Sequence, residues 1–189
     1  MRREPAAELM VMSDHGFAAF NRAVNLNTWL VSRGLRTKAY ALGLNGLYLL
    51  DKRVEQEVRQ QLLDLRDPAN GHRMIASVTE TNPSPENRSI APDLIVGYSA
   101  GYRASWQTAL GEAPEGLVVD NDDAWIADHC IDPWEVPAVL FTTRAIRAKA
   151  PRLKDLPVSL LELYGVARPP QMLSLIHICG PRTCRNGNP

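Results

Sequence analysis

Apolar residues along this chain fall into short blocks separated by polar turns. The first, residues 9–12, is four apolar residues in succession, which predicts a buried strand, and it breaks at once into Ser13-Asp14-His15-Gly16. Residues 23–34 (AVNLNTWLVSRG) space Val24, Trp29, Leu30 and Val31 as a short helix at the surface of a sheet, closed by Gly34. Two apolar segments flank Gly43 to Gly46 within residues 38–51, the pattern of a hairpin with a Gly/Asn turn. Val54, Val58, Leu62 and Leu65 recur at helical spacing, with Glu55 and Arg59 placed as a surface ion pair, so a helix is predicted over 54–66 and stopped by DPANG. Strands are expected over 73–80 and 92–106, with a proline-rich loop between them over 81–92. The continuous apolar run of residues 136–143 predicts another buried strand. The last helix is expected over 155–165, with Asp155 as its N-cap, Leu156, Leu160 and Leu163 on one face and Gly165 as its stop.

Strands alternating with amphipathic helices predict an α/β sandwich with a mostly parallel sheet, interrupted by a hairpin-rich insertion over about residues 37–110. Ligands of such sheets gather beyond the carboxyl ends of strands, the position that Asp14 and His15 occupy. The domain is expected to end near residue 172. Residues 173–189 (LSLIHICGPRTCRNGNP) have no acidic residue, hold two of the three cysteines and lack periodicity. Residues 173–178 match the translation of a sequencing-library adaptor, CTG TCT CTT ATA CAC ATC. The tail is therefore set aside as a processing artefact, the alternative being a natural C-terminus.

Composition narrows the partner. With 45% hydrophobic and 22% charged residues in 189, one globular domain with a real core is expected rather than disorder. Twenty-one basic residues balance twenty-one acidic ones, so there is no electrostatic footprint for a nucleic-acid polymer or an anionic membrane, and a small partner is expected. No apolar run is long enough to span a bilayer, and the first residues lack the apolar core of a secretory signal, which leaves the compartment open. Oligomeric state is equally open. Three cysteines form no paired-ligand spacing with nearby histidine, which argues against a disulfide framework or a zinc finger.

Two of the four histidines directly follow an aspartate and an apolar segment: Asp14-His15 and Asp128-His129. Carboxylate oxygen and imidazole nitrogen are the donors a zinc-like cation accepts in a hydrolytic site. Adjacent strand residues point to opposite faces, so Asp14 and His15 serve one cation only where the strand breaks, a break that Gly16 permits. The competing explanation is a plain turn, since Ser, Asp and Gly are ordinary turn residues. His72 sits in an NGHR turn and is expected to be solvated. Trp106, Trp125 and Trp134 with Tyr98 and Tyr102 suit either a pocket wall or, more commonly, core. Arg103 and Arg144 suit either a phosphate anion or an exposed structural role. Ser13 and Cys130 lack the base-and-orienter context of a nucleophile.

The segments VMSDHGF, FNRAVNLNTWLVSRG, AYALGLNGLYL, LLDLRDPANG, APDLIVGYSAGYRASWQTALG, DHCIDPWEVPAVLFTTR and SLLELYGV resemble, in that order, the C-terminal half of the alkaline phosphatase superfamily. The closest likeness is to its predicted phosphohydrolase/phosphomutase branch, related to type I phosphodiesterases and nucleotide pyrophosphatases, and it covers nearly all of residues 8–172. SDHGF recurs across the superfamily, whereas YALGLNGLY and GYRASWQTALG belong to this branch. The resemblance implies a two-metal phosphoesterase acting on a small phosphorylated substrate through a Ser or Thr nucleophile, with zinc, or manganese as in relatives, as the cations. Carried over by position, Asp14 and His15 would bind one cation and His129 the other, with Asp128 orienting its neighbour. It also implies an alkaline phosphatase-like fold whose N-terminal half, with the nucleophile and remaining ligands, lies upstream of this chain. Such a fragment is expected to be inactive alone, to bind metal weakly and to expose apolar strand edges. Ile126 and Ala127 stand where the branch has small residues, so crowding near His129 is expected. A sulfatase or phosphomutase on the same scaffold and a non-catalytic binding module are the alternatives.

Overall fold

The computed structural model describes residues 8–146, 148–170 and 172. The expected tail, 173–189, lies outside them. In chain order the elements are β1 (Met10–Met12), β2 (Ala18–Val24), α1 (Leu26–Ser32), β3 (Ala39–Leu42), β4 (Gly46–Leu49), α2 (Glu55–Leu63), β5 (Ile75–Glu80), β6 (Leu94–Tyr98), β7 (Gly101–Ala104), α3 (Trp106–Ala109), β8 (Val118–Asp120), β9 (Ala127–Asp128), β10 (Leu140–Thr142) and α4 (Leu156–Leu163). They divide into two compact units. One comprises residues 15–137; the other comprises the described residues on either side of it, 8–14 and those from 138 on.

Within residues 15–137, β3, β4, β6 and β5 form an antiparallel sheet in that order. The β3–β4 hairpin turns at Gly43, whose φ of +69° lies in the left-handed region that glycine adopts without a steric cost. A 3-10 turn, Lys52–Val54, opened by Asp51 accepting the Arg53 N–H, leads into α2. Val58 and Leu62, four apart on α2, are fully buried against the sheet that contains β5, each contributing about 1.5–3 kcal/mol by burial. Glu55 and Arg59 pair across the outer face at 3.7 Å. α1 is buried rather than superficial: Trp29 and Leu30 are almost inaccessible, and the Asn27 amide pairs with both backbone groups of Ala41 like a short piece of strand.

The second sheet of this unit is built around β2, which pairs in parallel with β7 and antiparallel with β8 and β9. Residues expected as one strand over 92–106 are therefore two strands in different sheets. The chain turns between them at Ser99, whose carbonyl accepts the Tyr102 N–H, and at Gly101 with φ of +85°.

The expectation of a mostly parallel sheet is corrected. The architecture is mixed α/β, and β2–β7 is the one parallel pair among seven strand pairings of the described residues. Parallel neighbours need a crossover of a dozen residues or more, whereas β3 and β4 are separated by a three-residue turn and close as a hairpin. Fully apolar runs say that a strand is covered, not which way its neighbour runs.

In the other unit, β1 and β10 form a two-stranded antiparallel sheet. The buried strands expected over 9–12 and 136–143 are corrected as well: Leu9, Val11, Met12, Val139 and Phe141 are exposed, and regular pairing is confined to three residues on each side. Two strands alone cannot cover both of their faces. α4 buries Leu156 and Val158, while Leu160 and Leu163 are exposed. Asp155 does not cap α4 as expected; its backbone is already helical, and its carboxylate accepts the Arg152 N–H to close the preceding 3-10 turn.

Candidate metal centre

The site grows from the start of β2. Ala18 and Ala19 pair with Asp128 and Ala127 of β9, and Phe20 N–H donates to the Ile126 carbonyl. This short ladder lays the turn after β9 beside residues 15–17. His15 and His129, 114 positions apart in the sequence, stack face to face with ring centroids 3.9 Å apart and planes 6° from parallel. Phe17 meets both rings edge-on at 5.5 Å. Gly16 donates its N–H to the Val136 carbonyl, and a Cβ there would stand 3.0 Å from the Pro137 carbonyl oxygen, so the backbone approaches closely where only glycine fits without a shift. Ile126 is exposed, so the crowding expected of it does not arise.

The imidazoles have different surroundings. His15 Nδ1 lies 2.9 Å from the Gly16 carbonyl oxygen. A carbonyl only accepts, so Nδ1 carries the proton in this bond and the lone pair of the neutral ring is on Nε2. His129 has a side chain 42% exposed, and its Nδ1 is 3.6 Å from Asp128, beyond hydrogen-bond range.

Asp128 is buried and fully engaged. Its Oδ1 accepts the N–H groups of His129 at 2.7 Å and Cys130 at 3.0 Å, and its Oδ2 lies 3.0 Å from Nη1 of buried Arg103 on β7. Arg103 donates Nε–H to the Ala104 carbonyl, and its guanidinium faces the rings of Phe20 at 4.9 Å and Trp106 at 4.1 Å. Neither Nη atom has an aligned hydrogen-bond partner, so the link to Asp128 is one of charge. Burial pushes the Cys130 thiol up, and the charge and hydrogen bond of Asp128 push it further, so the sulfur holds its proton at neutral pH.

Of the residues singled out from the sequence, His15 and His129 are brought together, and Asp128 bonds to the backbone N–H of His129. Asp14 is exposed and belongs to the unit that contains β1 and β10. His72 is exposed, as expected for its turn. Tyr98 and Tyr102 are core, whereas Trp106, Trp125 and Trp134 are exposed. Two residues were underrated. Arg103 is neither an exposed arginine nor available to an anion, and Cys130 has its sulfur within 4.8 Å of donor atoms of Asp128 and His129. The proximity of Cys130 in sequence was a usable signal; the burial of Arg103 had none.

The donor chemistry fits divalent cations. Imidazole lone pairs lie in the ring plane, so two parallel rings do not converge on a single ion. Asp128, tied to a guanidinium and two amides, is the weakest donor of the group.

The family model described as Type I phosphodiesterase / nucleotide pyrophosphatase matches residues 3–117, more than half of the chain, and the chain belongs to that family. The matched span contains Asp14 and His15 and ends before Asp128. Comparison with curated proteins and with solved structures found no match. Family membership supports a phosphoester-hydrolase-like function.

Proposed function

We propose that this chain is the metal-ligating C-terminal part of a phosphoric-ester hydrolase that uses two divalent cations, zinc or manganese, on a small phosphorylated substrate. The observation that carries the proposal is the stacked pair His15–His129. In it, Asp14 and His15 hold one cation and His129 the other, with Asp128 orienting the backbone of His129 through its N–H. Bound cations polarise the phosphoryl group and stabilise the attacking and leaving oxygens. The Gly16 carbonyl keeps the His15 lone pair on Nε2, and Phe17 packs beside both rings.

Three donors are fewer than two cations need, so further ligands and the nucleophile are assigned to a segment outside residues 8–172. The exposed apolar residues of β1 and β10 support that part of the proposal, since strands of this composition are normally covered. Zinc titration by calorimetry tests the reading. Weak, saturable uptake that His15→Ala or His129→Ala each abolishes is the expected result; uptake indifferent to both substitutions overturns it. With the upstream segment supplied, hydrolysis of a phosphodiester is expected to exceed that of a sulfate ester, and the reverse order would assign the scaffold to sulfatase chemistry.

A further inference from the structure

We propose that Arg103 is a positioning residue for the imidazole pair: by its buried charge contact with Asp128 it fixes the turn that carries His129 against His15. The functional consequence rests on the reading of these histidines as cation ligands, while the geometry stands apart from it.

Arg103 is the stationary member of the pair. Its backbone is locked in the parallel register of β7 with β2, opposite Ala23, its Nε is held by the Ala104 carbonyl, and its guanidinium lies against the rings of Phe20 and Trp106. The turn after β9 is the adjustable member. β9 is two residues long; after it the chain is held by Asp128 Oδ1 at the N–H groups of 129 and 130, by the Asn45 amide at the Cys130 carbonyl, and by Asp132 N–H on the Tyr98 carbonyl. Orientation of the Asp128 carboxylate therefore sets the direction of the His129 backbone.

A carboxylate with 6% of its side chain exposed is costly to keep charged without a counter-charge, and Arg103 is the cation beside it. With Arg103 removed, the cheapest relief is for the turn to swing Asp128 toward water, since its neighbours Ile126 and His129 already face solvent. That movement withdraws the His129 ring from His15. Stacking of the two rings thus depends on a residue that touches neither of them.

Proton spectra of the full chain carrying 13C-labelled histidine test this directly, because each stacked ring shifts the protons of the other upfield. In Arg103→Met the shifted signals of His15 and His129 are expected to move to the position of exposed His72. In the double variant Arg103→Met/Asp128→Asn, which keeps an Oδ1 acceptor and removes the uncompensated charge, they are expected to return. Unchanged stacking signals in a folded Arg103→Met protein overturn the proposal. So does a double variant that fails to fold or keeps the rings apart, and this second protein decides the matter if the single variant does not fold. Zinc affinity is expected to fall roughly 10- to 100-fold in the single variant, as for loss of groups that orient metal ligands, and to recover in the double. A wild-type chain that takes up no zinc removes the cation-ligand reading and leaves the spectral test in force.

Discussion

Asp67 illustrates how much a single buried carboxylate organises. It has no side-chain exposure, accepts Nε and Nη2 of Arg22 at 2.8 and 2.9 Å, the Tyr102 hydroxyl at 3.0 Å and the Ala69 N–H at 2.9 Å, and so ties β2, β7 and the turn after α2 together. Burial raises its proton affinity, but the Ala69 amide, Arg22 and Tyr102 together overcome burial and hold it below the ordinary carboxylate range. A lowered folded value means that the unfolded chain binds the proton more readily. The contribution of Asp67 is therefore complete above the unfolded value, near 3.8 for a free aspartate, and is lost as pH falls through the folded one. Asp67→Ala is expected to cost about 3 kcal/mol near neutral pH, the low end for a broken buried pair because Arg22 keeps Asp120. Urea unfolding of both proteins checks this, and the difference between them is expected to shrink in acid. Nothing in the order LRDPANG distinguishes this aspartate from a solvated turn residue. Arg22 lies 45 positions away, and only folding makes the pair.

At the scale of elements, the periodic helix was the most legible feature. Spacing of Val54, Val58 and Leu62 specified the buried face of α2, and the ends alone differ, with a 3-10 turn at the start and Leu65 beyond the helix. Leu62→Ala is expected to cost about 2–5 kcal/mol by denaturant unfolding, since the site is wholly inaccessible, whereas Glu55→Gln on the outer face is expected to change stability by less than about 0.5 kcal/mol. Glycine 97, in the middle of β6, was silent in the sequence. A methyl group there would overlap the Asp132 carboxylate and the Ser77 hydroxyl, which bond to each other, so Gly97→Ala is expected to cost about 1–3 kcal/mol in a thermal melt. Strand direction departs from the pattern's expectation. Alternation of strand and helix suggested parallel crossovers, but β3, β4, β6 and β5 pair antiparallel throughout, and local pattern carries no record of the partner.

For the molecule as a whole, the two units differ in how their apolar residues are used. Residues 15–137 bury Val24, Trp29, Leu47, Leu62, Ile75 and Leu94 in one cluster. In the other unit, Val11 and Phe141 sit opposite one another on β1 and β10 and are both exposed. Such a sheet is an adhesive surface. Val11→Thr with Phe141→Lys is therefore expected to lower self-association in light scattering while leaving the melting of the protein unchanged, because neither side chain is part of a buried core. Loss of cooperative melting in this variant would mean that the pair is covered in solution. Among the described residues, no helix is long and apolar enough to cross a membrane.

By itself, the sequence determined whatever depends on neighbours in the chain: the face that α2 buries, the hairpin at Gly43, and the chemical character of the side chains at Asp14, His15 and His129. Tertiary structure decided what depends on partners far along the chain. It set the direction of the strands, the burial of Arg103 against Asp128 and the approach of two imidazoles to 3.9 Å. The physical reason is that side-chain periodicity is fixed by local backbone geometry, whereas a contact across 25 or 114 positions follows from the path of everything in between.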